Sequence, residues 1–225
     1  MAVDAVIFDW GGTLTPWHTI DVADSWLAAS GDPEAAKQLS QAENAAWSRS
    51  RDEHTSATLD SVLEAAGVDP DDHFLANYHS WWEPHTLTDP DVPELFGWLR
   101  SEGIRIGILS NTIWPREWHE SIFARDEVLT LIDGAVYSSE IPWTKPHAEA
   151  FRAALAAVGV ADPGRAVFVG DRVFDDIHGA KSVGMRAVLV PHSTIPDWQH
   201  GHTDGEPDAV IDRLADLKAV IEAWR

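Results

Sequence analysis

The chain has 225 residues, 44% of them hydrophobic and 24% charged, which accommodates an α/β domain with an insertion and excludes a disordered or fibrous protein. Asp plus Glu number 37 against 16 Lys plus Arg, and a net charge of -21 opposes nucleic-acid backbone and anionic lipid, so neither nucleic acid nor membrane is expected as a partner. The absence of cysteine removes disulfides, thiolate zinc sites and cysteine nucleophiles together.

Ala5 to Phe8 is a continuous apolar run and reads as a strand covered on both faces. Asp4 and Asp9 bracket it closely and no basic stretch precedes it, so no signal peptide is expected. No apolar run approaches the ~18 residues of a membrane span, and a soluble, cytoplasmic protein is expected. Beyond Thr15-Pro16 the pattern turns helical over 20–29, 33–48, 58–66 and 70–82. Asp32-Pro33 and Asp69-Pro70 each offer a capping carboxylate followed by proline at the first helical position, and Gly31 and Gly67 mark stops. The helical block closes near Asp89-Pro90. It predicts an inserted cap over residues 16–89, with residues 1–15 and 90–225 forming the core.

From there helix and strand alternate. Helical patterns over 93–101 and 148–158 separate apolar runs at 104–109, 135–137, 166–169, 187–190 and 208–211. A last helical stripe joins Ile211, Leu214, Leu217, Val220, Ile221 and Trp224. Strands separated by helices predict a Rossmann-like, doubly wound parallel sheet. Residues 192–207, rich in Gly, His and Asp, read as a surface loop.

Ligands of such sheets gather at the carboxyl ends of the strands. There the sequence places Asp9 with Gly11, Gly12 and Thr13, then Ser110 and Asn111, then Lys145, then Asp171 with Asp175 and Asp176. Several carboxylates cannot share a small site as bare anions; a hard divalent cation and Lys145 would neutralise them. Without Cys or a His pair at these ends, Mg²⁺ is favoured over zinc. Mg²⁺, an ammonium, Ser110 and the amides of the Gly11-Gly12-Thr13 turn would bind a phosphoryl group, with Asp9 as in-line nucleophile.

Phe8-Asp9-Trp10-Gly11-Gly12-Thr13-Leu14 resembles the first motif of the haloacid dehalogenase (HAD) superfamily. Ser110-Asn111 is similar to its second motif, Lys145-Pro146 to its third, and Gly170-Asp171 through Asp176 to its fourth. The insertion resembles a C1-type helical cap. The resemblance implies that Asp9 is nucleophile and metal ligand, that the carbonyl of Gly11 and Asp171 are ligands, and that Asp176 joins or orients the shell. Ser110, Asn111 and Lys145 would hold the phosphate of a small phosphorylated substrate.

One position departs. The family's phosphatases carry a second aspartate two residues after the nucleophile as general acid and base, and here that residue is Gly11. Losing such a group typically forfeits ~10²–10⁴ in rate. A phosphonatase-like carbon–phosphorus hydrolase also lacks that acid but needs a cap lysine, for which only Lys37 is available. The 2-haloacid dehalogenase branch lacks it too, yet does without the metal to which Asp171 and Asp176 point. A non-catalytic phosphate-ligand binder is the remaining alternative. His18 is the nearest candidate to replace the acid. Ser110 is also expected to cap a helix, and Asp175 to be a solvated neighbour. Trp10, Trp17, Trp114 and Trp143 are expected beside the strand ends, lining an apolar entrance or gluing cap to core.

Overall fold

The computed structural model describes residues 2–16, 20–191 and 204–224. Trp17, His18 and most of the 192–207 loop, including His200 and His202, lie outside the described residues. Six parallel strands form one sheet: β1 (Ala5–Phe8), β2 (Arg105–Ser110), β3 (Gly134–Tyr137), β4 (Ala166–Gly170), β5 (Arg186–Leu189) and β6 (Ala209–Val210). Their order is β3-β2-β1-β4-β5-β6, so β1 lies between β2 and β4, with Phe8 level with Ile108 and Val169. Every residue of β1 is buried, which explains why the run is apolar throughout.

Side-chain alternation divides the core into two layers. Val6 and Phe8 pack with α5 (Val92–Ser101), α6 (Arg116–Arg125) and α9 (Leu217–Ala223); Ala5 and Ile7 pack with α7 (Ala148–Ala157) and α8 (Gly179–Ser182). Between β1 and α5 stand four further helices: α1 (Val22–Ser30), α2 (Pro33–Glu53), α3 (Leu59–Ala66) and α4 (Asp72–Trp82). Asp32 caps α2 through Glu34 N at 2.9 Å, with Pro33 in the first turn. Gly31 and Gly67 close α1 and α3 at φ 65° and 69°, a region that glycine enters without a Cβ penalty.

Several elements differ from expectation: α2 runs on to Glu53, five residues past its expected end at 48, and β6 keeps only Ala209–Val210 of 208–211. α4 begins two residues later than Asp69-Pro70 suggests, because Asp71 takes the Phe74 amide at 2.8 Å. α6 has no counterpart in the sequence reading, since Arg116, Glu117 and Glu120 blur its apolar stripe. The closing stripe is not one helix: Ile211 follows β6 and only Leu217–Ala223 is α-helical.

The helical insertion shares one apolar cluster with the sheet, continuous through Trp10, Trp114, Tyr78, Trp82 and Trp26. The Trp10 and Trp114 rings lie 5.6 Å apart, Trp114 and Trp82 5.2 Å, and Tyr78 stacks on Trp26 at 4.3 Å. Trp82, not Trp81, is the member of the Trp81-Trp82 pair that meets this cluster as a buried side chain. Trp143 instead stacks on His147 at 4.1 Å. The C-terminal end of α2 is tied to the segment before α7: Ser50 Oγ donates to Thr144 Oγ1 at 3.0 Å and Thr144 N to His54 O at 3.0 Å.

Candidate active site

β1 and β4 are neighbours at the point where strand order reverses, so the residue after each strand faces a common crevice. Asp9 follows β1 and Asp171 follows β4. Asp176 reaches the same place from a π-helical turn, Val173–His178, where the wider coil turns its carboxylate back toward the strand end. Its Oδ2 accepts from Arg172 N at 2.9 Å. Gly170 makes the approach possible, because a Cβ there would lie 2.3 Å from that oxygen. The ligand oxygens of Asp9, Asp171 and Asp176 come within 4.8 Å of one another, and all three residues are buried.

Lys145 enters from the loop before α7 and is only 3% exposed. Its Nζ donates to Asp9 Oδ1 at 2.5 Å and to Asp176 Oδ1 at 2.7 Å. Burial works against its charge, but Asp176 and Asp9 outweigh that and hold its pKa above the ordinary lysine value. Asn111 positions this lysine: its Oδ1 accepts from Lys145 N at 2.8 Å and its Nδ2 donates to Lys145 O at 3.0 Å. The Asn111 amide, expected on the phosphate, is thus engaged with the Lys145 backbone.

The turn after Asp9 is closed on itself. Gly12 N donates to Thr15 O at 2.7 Å, Thr13 N to Trp10 O at 3.3 Å, and Thr13 Oγ1 to Asp9 Oδ2 at 3.4 Å. Gly12 adopts φ 94°, which a side-chain-bearing residue would strain. Two amides expected to face phosphate therefore have partners inside the turn, while Gly11 borders the cavity. Ser110 is the buried last residue of β2. It caps no helix, since α6 starts only at Arg116 behind Pro115.

Burial raises the Asp9 pKa to about 6, with Lys145 opposing and Asp176 reinforcing the shift. Asp171 is raised well above the ordinary carboxyl value, by burial and by Asp9, and neither of its carboxylate oxygens has a hydrogen-bond partner. An acceptor pair left bare in the interior is costly unless something cationic meets it. Asp175 stays out of the trio; its Oδ2 lies 3.4 Å from Arg172 Nη1, and both residues line the cavity. Fully ionised, the four carboxylates against Lys145 and Arg172 would leave two negative charges, which one divalent cation would balance. An all-oxygen donor set with orphaned carboxylate atoms fits Mg²⁺.

Above the trio lies a cavity of about 450 Å³ between the sheet edge and α2 and α4. Trp10 and Trp114 line it, as expected of an apolar entrance. Among the cavity residues not anticipated from the sequence are two charged ones, Arg172 and Glu43. Arg172 is drawn to Asp171 and Asp175, whose charges outweigh the burial that opposes its own. Glu43 interrupts the buried stripe Ala36, Leu39, Ala46, Ser50 of α2, and a carboxylate at a stripe position is the signal that could have found it.

A doubly wound sheet with an acid–lysine centre at its switch point defines an α/β enzyme of the hydrolase type. Residues 3–184 match the family described as haloacid dehalogenase-like hydrolase, and the chain belongs to that family. A glyceraldehyde 3-phosphate phosphatase of Methanopyrus kandleri is 30% identical over 167 residues, 72% of this chain and 70% of the relative. Against further curated relatives the chain spans only 50% to 59% of their length. A HAD phosphatase from Thermococcus onnurineus superposes with a TM-score of 0.69 at 23% identity, covering 97% of this chain and 98% of that one. The L-2-haloacid dehalogenase of Xanthobacter autotrophicus does so at 0.69 and 22%, covering 99% and 100%. The fold is thus common to enzymes of both chemistries, and the site must distinguish them.

Proposed function

We propose that the chain is a Mg²⁺-dependent phosphatase that hydrolyses a small phosphorylated metabolite through an aspartyl-phosphate on Asp9. The observation that carries this is Asp171, buried beside Asp9 and Asp176 with both oxygens unpartnered. Such a trio suits a metal-assisted phosphoryl transfer and is unneeded for attack on a carbon–halogen bond. Curated relatives named as phosphatases support the same choice.

Asp9, Asp171, Asp176 and the carbonyl of Gly11 would hold the ion. When bound, it would neutralise the carboxylates and the oxygens of the phosphoryl group. Lys145 and Ser110 would hold the phosphoryl oxygens, and Asn111 fixes the Lys145 backbone against drift. An Asp9 oxygen attacks phosphorus as the ester oxygen departs; water then cleaves the acyl phosphate and releases phosphate and free Asp9. Residues 16–89 would act as a cap choosing the leaving group, over a core of 1–15 and 90–225. Gly11 offers no proton, so esters with good leaving groups, acyl or aryl phosphates, are favoured and the phosphoenzyme is long-lived.

Incubation with Mg²⁺ and acetyl phosphate, read by intact mass, should give one phosphoryl adduct that is absent in Asp9→Asn. Gly11→Asp should speed hydrolysis of alkyl phosphates by about 10²–10⁴-fold. No adduct and no turnover of any activated phosphate would sink the reading and leave a phosphate-ligand binder on a retained fold.

A further inference from the structure

Hydrolysis as described uses the floor of the cavity and leaves its α2 wall idle. That wall carries Glu43, 8% exposed. Its two oxygens accept from the indole N–H of Trp26 at 2.7 Å and of Trp47 at 3.1 Å. Among the described residues no cationic side chain pairs with it. Two neutral donors occupy half of the acceptor capacity of a carboxylate and supply no countercharge. Burial accordingly pushes the Glu43 pKa upward, and the two indoles oppose this. A buried carboxyl in a cavity wall, with acceptor capacity to spare and no countercharge, is suited to a ligand that brings a positive charge and would hold it ionised.

The side chains around it favour the same kind of ligand. Trp47, Tyr78, Trp82 and Trp114 all line the cavity with Glu43. Aromatic faces attract cations, and more strongly once water is excluded. Arg51 also borders the cavity, but it is exposed, two turns further along α2, with Nη2 donating to Ser48 Oγ at 3.0 Å. An anionic leaving group would therefore have to stay near that rim and away from Glu43.

Building on the phosphatase reading above, we propose that the substrate is a phosphate ester whose alcohol carries an ammonium or quaternary ammonium group. Glu43 and the aromatic walls hold the cation while the phosphoryl end lies at Asp9 and Lys145. In an ester whose ammonium stands two carbons from the oxygen, the substrate's own cation would also lie near the departing oxygen and ease the charge that Gly11 cannot protonate. Recognition and the missing acid are then two aspects of one arrangement.

Choline and its neutral isostere 3,3-dimethylbutan-1-ol, titrated into the wild-type protein by calorimetry at matched ionic strength, provide a test that needs no turnover. Choline should bind at least about tenfold more tightly; equal affinity, or no binding of choline, overturns the proposal. In kinetics, kcat/KM for phosphocholine should exceed that for 3,3-dimethylbutyl phosphate, and Glu43→Gln should collapse that ratio to below threefold. A ratio that survives in a folded Glu43→Gln variant makes Glu43 a structural tie between α1 and α2 and overturns the assignment. Should that variant fail to fold, the wild-type comparison decides. Should no phosphate ester be hydrolysed, the phosphatase reading fails by itself and the choline titration decides the cation site.

Discussion

Lys145 and His119 are both deeply buried, and the chain treats their charges in opposite ways. Lys145 keeps its proton because two carboxylates touch its ammonium. His119 is fully buried, with Nε2 3.0 Å from Thr112 Oγ1 and its ring stacked on Tyr137 at 4.5 Å. Burial, with Arg116 adding to it, lowers its pKa from 6.5 to about 3, so it is neutral in the fold. The unfolded chain takes up that proton first. Stability from the neutral ring is therefore complete above the unfolded pKa of 6.5 and is lost as pH falls toward 3. His119→Phe keeps a ring on Tyr137 and has nothing to titrate. Between pH 7 and pH 5 wild type should lose about 2 kcal/mol more stability than His119→Phe in urea unfolding. A difference that does not change with pH would show that folding leaves the His119 pKa unshifted.

At the scale of elements, the central strands were legible because burial on both faces forces unbroken apolar runs, and β1 coincides with Ala5 to Phe8 in full, whereas the edge strand β6 is not buried. The positions of Asp9, Lys145, Asp171 and Asp176 followed from strand ends, since a parallel sheet collects those ends along one edge. What escaped has a physical reason in each case. The π-helical turn that aims Asp176 depends on a close approach to Gly170, a contact between non-adjacent residues that no periodicity reports. The grip of Asn111 on Lys145 joins residues 34 apart, and the position of Glu43 on the apolar stripe of α2 does not reveal the indoles of Trp26 and Trp47 that hold it. Gly170 and Gly134 separate site from scaffold. A Cβ on Gly134 would lie 2.5 Å from Ala157 O, at the end of β3 away from the crevice. Both Gly170→Ala and Gly134→Ala should lower stability by about 1–3 kcal/mol. Only Gly170→Ala should also cut phosphatase turnover, by displacing Asp176. Unaltered turnover in Gly170→Ala would mean that the placement of Asp176 is unimportant.

Over the whole molecule, the net charge of -21 makes self-repulsion a standing cost, and the acidic trio concentrates part of it inside. Two kinds of cation relieve it differently. Monovalent salt screens the surface, since the Debye length falls from about 30 Å at 0.01 M to about 3 Å at 1 M. It does little for carboxylates that are buried. A divalent ion held by Asp9, Asp171 and Asp176 would act on those alone, stabilising by about 2.7 kcal/mol at a hundred times its Kd. In a chain of this length that raises Tm by roughly 5–10 °C. Raising NaCl from 10 to 500 mM should therefore lift the Tm of wild type and Asp171→Asn by a similar few degrees. Millimolar MgCl₂, at ionic strength matched with NaCl, should add a further rise in wild type and none in Asp171→Asn. An equal Mg²⁺ response in the two proteins would move the ion to the acidic surface and leave the orphaned oxygens of Asp171 without a function.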